Sequence, residues 1–191
     1  MKLTLKLLLM VVLSCVLCMV ASAQTPPAGK NFAKGGVTFD YPNGWTLQEL
    51  NNEDALDVVL SRPNNDLQIK VFVHKGRITP EKLPDAKKAF IDPYISANSK
   101  QFVAMGAEPK QAPDASEIGG VKADGVNITA SLGGVTGAAK IYWALVGQRV
   151  VILTLFGPDS DIKQFTSVWD QVRTSLKVED PKPAASPSPK P

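Results

Sequence analysis

The sequence predicts an α+β domain, an antiparallel sheet with helices on both faces. Three observations predict it. Apolar and polar residues alternate in Val37–Tyr41 and in the two runs that flank Arg62–Asn65, as in half-buried strands. The run Val150–Phe156 is apolar throughout, which suits a central strand covered on both sides. Two further stretches carry helix start signals and apolar residues at helical spacing.

Taken in order, the chain opens with a leader. Lys2 and Lys6 form a positive n-region, Leu7–Val20 a 14-residue apolar run, and Ala21-Ser22-Ala23 a small-residue cleavage site, so residues 1–23 read as a secretory signal peptide. Cleavage between Ala23 and Gln24 leaves 168 residues. The apolar run is shorter than the roughly 20 residues of a spanning helix, so no membrane span is expected after cleavage. A second reading, lipidation at Cys15 after Val12-Leu13-Ser14, would strand Val16–Val20 on the mature chain. Both cysteines, Cys15 and Cys18, lie in the leader, so a mature chain begun at Gln24 has no disulfide, thiol nucleophile or thiolate metal site. Removing Lys2 and Lys6 also lowers Lys plus Arg from 21 to 19 against 18 acids, a net charge of +1. The remaining cations are scattered and not interleaved with aromatics, which argues against nucleic acid as a partner.

Residues 24–35, with Pro26-Pro27, read as a flexible lead-in, residues 36–178 as the folded domain, and residues 179–191 as a Pro-rich disordered tail. Val37, Phe39 and Tyr41 give a strand that runs into the Pro42-Asn43-Gly44 turn, and Trp45 and Leu47 continue the apolar set. Leu56, Val58 and Leu60, then Leu67, Ile69, Val71 and Val73, form an antiparallel hairpin. Thr79 as N-cap and Pro80 in the first helical position start a short turn of helix. A second helix follows, with a kink expected near Asp92 because Pro93 disfavours helix in the residue before it. Gly106 ends it, and Pro109 to Pro113 reads as a loop. Val126–Ala130, Ala139–Val146 and Val150–Phe156 are the later strands, the last two joined at Gly147-Gln148 by a hairpin of type II′. Asp159 or Ser160 starts a final helix whose stripe Ile162, Phe165, Val168, Trp169, Val172 and Leu176 faces the sheet.

The segment Gly36-Val37-Thr38-Phe39-Asp40-Tyr41-Pro42-Asn43-Gly44-Trp45 resembles the opening of the PsbP-like superfamily, which includes bacterial DcrB-like exported proteins. The likeness continues across residues 36–178 through Thr79-Pro80-Glu81-Lys82-Leu83 and the helix that ends near Ser175-Leu176. It implies an α/β/α sandwich with a sheet of about six strands, and members that mostly bind or assemble partners rather than catalyse. It transfers no site. Tyr41 and Trp45 are expected to pack against the core.

No catalytic, cofactor or metal motif stands out. His74, the sole histidine, ends a strand with no second ligand at metal spacing. Asp159 and Asp161 lack the glycine and glutamate of a calcium loop, and neither Gly119-Gly120 nor Gly133-Gly134 makes a phosphate loop. Asn127-Ile128-Thr129 is a formal glycosylation sequon, but on a strand. The chain therefore reads as a non-enzymatic binding or assembly module of the cell envelope, periplasmic or secreted, whose partner is an envelope protein or a small ligand. Two alternatives stay open. One is a carrier of a small apolar ligand; the other is an enzyme with a scattered site, which would need titratable residues gathered around His74 or Asp57.

Overall fold

A computed structural model describes residues 29–181. The leader, with Cys15, Ala21, Ala23 and Gln24, and residues 182–191 of the Pro-rich tail lie outside the described residues. Ten strands form two antiparallel sheets among those described. The larger has seven strands in the order β3 (Thr46–Glu49), β4 (Ala55–Ser61), β5 (Gln68–His74), β9 (Arg149–Pro158), β8 (Val135–Val146), β7 (Val121–Leu132) and β6 (Lys110–Ile118). The smaller sets β2 (Val37–Pro42) between β1 (Gly29–Lys34) and β10 (Lys177–Val178).

Alternation along β9 divides the core. Val151, Leu153 and Leu155 pack with β1, β2, Ile162, Trp169, Val172 and Leu176; Val150 and Ile152 pack with Ala86, Ile91 and Phe102. Every residue of β9 from Arg149 to Leu155 is buried, as a strand covered on both faces requires.

The Val150 and Ile152 side is covered by one helical stretch. It starts with a tight turn at Pro80–Lys82, continues as α1 (Leu83–Ala86), widens through Lys87–Ile91 and ends as α2 (Asp92–Ala104). Thr79 is extended at the cap, but its side chain makes no capping hydrogen bond. The irregularity falls where Pro93 removes an amide proton, near the expected kink, and takes the form of a π turn. The final helix is also broken: α3 (Asp159–Gln164) and α4 (Thr166–Ser175) meet at Phe165, where the backbone leaves helical geometry. Pro158 holds the cap position of α3, and neither Asp159 nor Ser160 caps it.

Four features depart from the sequence reading. The expected single sheet of about six strands is two, with Val37–Pro42 in the smaller while the larger reaches seven by including Thr46–Glu49, and Pro109–Pro113 does not stay a loop: Lys110–Ile118 pairs along its length with β7. It is an edge strand, which accommodates Pro113, and its exposed side chains leave no apolar alternation to read. Gly29–Lys34, within the expected lead-in, pairs with β2, and its one buried residue, Phe32, stacks 4.9 Å from Phe39. One buried residue in six makes no pattern. Lastly, Gly147 and Gln148 have φ of 55° and 54°, so the hairpin is type I′, not II′.

Candidate functional site

The seven-stranded sheet has two unlike ends. One gathers the β6–β7 and β8–β9 turns; the other gathers the β7–β8 turn, the β4–β5 loop and the C-terminus of α2. β9 joins them over about 30 Å, at roughly 3.3 Å per residue.

The first end is closed. Arg149 is only 4% exposed, and its guanidinium donates from Nε to the His74 carbonyl at 2.9 Å and from Nη1 to the Gly35 carbonyl at 2.9 Å. It thereby ties the β1–β2 turn to the end of β5. The C-terminal segment then crosses the turns: Glu179 N donates to Gly36 O at 2.7 Å and Gly119 N to Arg173 O at 2.9 Å. A Cβ at Gly147 would collide with the Val178 carbonyl oxygen, so this turn needs glycine for space as well as for its positive φ.

The second end is open and apolar. Val103 and Met105 leave the C-terminus of α2 at 58% and 47% exposure, and Leu132 and Val135 flank the β7–β8 turn at 51% and 60%. A cavity of about 520 Å³ lies between Met105, Leu132 and Val135, while Val103 faces a separate one of about 310 Å³. The base of the larger is the aromatic pair Phe102 and Phe156, with centroids 5.4 Å apart. Gly137 adds space, because a Cβ there would already stand 3.4 Å from the Phe102 ring. Asn65, Asp66 and Gln68 supply a polar side. An apolar cleft of this size with a few polar groups on one wall has the form of a small-molecule or partner site.

The residues singled out in the sequence lie elsewhere. Tyr41 and Trp45 are buried in the core, with Trp45 edge-on to Phe165 at 6.0 Å. His74 turns onto Phe90, centroids 4.8 Å apart, and its Nδ1 takes up the Gly76 amide at 3.1 Å. Asp57 lies on β4 with Oδ1 buried and unpaired. Burial raises its pKa, opposed by the charge of Lys70. Near it, Tyr94 and Thr154 share a hydrogen bond of 2.9 Å, and burial pushes the Tyr94 phenol up. The structure thus sets Asp57 near Lys70 and Tyr94 but engages His74 otherwise. Neither Asp57 nor His74 lines the cavities of about 720, 520, 540 and 310 Å³. Asp159 pairs with Lys163 at 2.6 Å on α3, and Asn127 is half-buried within β7. Among the described residues no group of three or more His, Cys, Asp or Glu is placed to hold a metal.

No family model and no curated protein matches the sequence. Solved structures do. The solution structure of cyanobacterial PsbP (CyanoP) from Synechocystis sp. PCC 6803 matches over 84% of this chain and 99% of its own, with 18% identity and a TM-score of 0.52. The fold is PsbP-like. A structure from Bacteroides thetaiotaomicron matches over 80% of this chain and 49% of its own, with 14% identity and a TM-score of 0.50. These likenesses agree with the family resemblance of residues 36–178 and concern the fold alone. No described helix is long and apolar enough to cross a membrane.

Sequence reasoning missed both ends. Arg149 leaves no local trace, since its partners stand 75 and 114 positions away. A signal for the open end does exist: Leu132 and Val135 bracket Gly133-Gly134, where a solvated turn would carry polar neighbours.

Proposed function

We propose that this chain is an exported, non-enzymatic binding module of the cell envelope whose working surface is the open apolar end. The observation that carries the reading is the gathering of Met105, Leu132 and Val135 around one cavity, when each could be exchanged for a polar residue without loss of core. Export is supported by the leader pattern that ends at Ala23. Binding rather than catalysis is supported by the placement of the titratable groups. His74 packs on Phe90, and Asp57 lines none of the four cavities, so acid–base groups and accessible space do not coincide.

The test is site-specific photo-crosslinking in a cell that exports the full chain. A photoreactive residue at Leu132 or Met105 is expected to give adducts, and one at Val121, exposed at the closed end, is expected to give none. The exported form should begin at Gln24 by mass. Adducts from Val121 alone, or retention of the full-length chain in the cytoplasm, would contradict the reading.

A further inference from the structure

The chemistry of the open cavity narrows what it takes. Its base is two phenyl rings and its rim Met105, Leu132 and Val135, so the bulk of any occupant is apolar. Its polar wall is one-sided. Asn65 is already engaged there, because its Oδ1 accepts the Leu67 amide at 2.7 Å. Asp66 is exposed and is the one charged residue among those lining this cavity. An anionic head held beside it would meet a like charge, whereas an amine or hydroxyl could donate to its carboxylate. Across Ala130 a neighbouring cavity of about 540 Å³ carries Glu108 and Lys110, whose opposite charges leave the sign set by Asp66 unchanged.

We propose that the open end binds a single-chain amphiphile, its apolar chain laid over Phe102 and Phe156 and its uncharged or cationic head beside Asp66. This rests on the binding-module reading and deepens it. A closed shape is unnecessary for such a ligand: one end of the molecule remains in water while the chain is covered.

The neutral apolar fluorophore N-phenyl-1-naphthylamine tests it, titrated into the mature chain and then displaced. Saturable fluorescence is expected, with decylamine and decanol displacing the probe at concentrations at least about tenfold below decanoate, a discrimination of about 1.4 kcal/mol. In Asp66→Asn the preference against decanoate should fall to less than about threefold. Leu132→Glu and Val135→Glu, both at exposed positions that leave the core intact, should weaken the probe at least about tenfold, while Val121→Glu at the closed end leaves it unchanged. Absence of saturable binding, decanoate competing as well as decylamine, or unchanged binding in both glutamate variants would overturn the proposal. Crosslinks from Leu132 and Met105 to a protein partner would still stand in that event, so failure of the ligand assignment is distinguishable from failure of the binding-module reading.

Discussion

The two ends of the sheet are built from the same kinds of parts, tight glycine turns joining long antiparallel strands, yet they finish in opposite ways. At the closed end the chain returns to cover its own turns. Arg149 satisfies two carbonyls from distant segments, and Leu176–Glu179 lies against the Gly119 and Gly147 turns. At the open end nothing described returns, and Leu132, Val135, Val103 and Met105 remain exposed. The difference shows where this fold spends its residues on stability and where it leaves surface for something else. Conformational entropy makes the closed arrangement costly unless each crossing forms several contacts, and here backbone carbonyls accept them, from the Arg149 and Arg173 guanidiniums and from the Glu179 and Gly119 amides.

The comparison breaks most easily at Arg149. Arg149→Leu leaves the His74 and Gly35 carbonyls without their donor, and the expected cost is about 3 kcal/mol, or roughly 10 °C in Tm for a domain of this size. Thermal unfolding by circular dichroism checks it, and a loss below about 1 kcal/mol would mean the closed end is held elsewhere. Gly147→Ala comes next. The new Cβ meets the Val178 carbonyl while φ stays positive, so about 2 kcal/mol is expected, with β10 loosened first. Faster amide exchange at Lys177 and Val178 than across β9 would record that order.

Asp57, midway along the sheet, gives a smaller effect with a sign that depends on pH. Burial raises its folded pKa above the usual value of 3.8, so the fold favours its protonated form. Its contribution to stability is fully present below pH 3.8 and is lost as pH rises through the raised value. Asp57→Asn is therefore expected to raise Tm at pH 7 and to leave it nearly unchanged at pH 3. A lower Tm at pH 7 would show that the carboxylate holds a stabilising partner. The smallest stability effect belongs to the open end: Leu132→Ser and Val135→Ser should each shift stability by less than about 0.5 kcal/mol, because both residues are more than half exposed and lie outside the core.

How much of this was legible in the sequence follows the range of the signals. Alternation in Val37–Tyr41 and Leu67–Val73 and the continuous apolar run of β9 are short-range, and those strands lie where the pattern places them. β6 was illegible because an exposed edge strand buries almost nothing and so needs no alternation. β1 was illegible because Phe32 alone carries its burial. The hairpin type turned on Gln148, a residue that accepts positive φ at modest cost and gives no warning of it. The candidate site failed to show for a related reason. Phe102, Leu132, Val135 and Phe156 come from four separate elements, and only folding brings them to one cavity, while Asp57 and His74, chosen for their chemistry, turned out to line no described cavity. The Gly133-Gly134 turn with its apolar flanks was the one local hint.

The direct test of the unequal ends is hydrogen exchange with and without N-phenyl-1-naphthylamine at saturation. Added protection is expected at the amides of residues 102–107 and 130–137, with residues 115–124 and 143–149 unchanged. Protection gained at residues 115–124 and 143–145 instead, around the cavity of about 720 Å³ beside the closed end, would contradict the assignment of the open end as the binding surface.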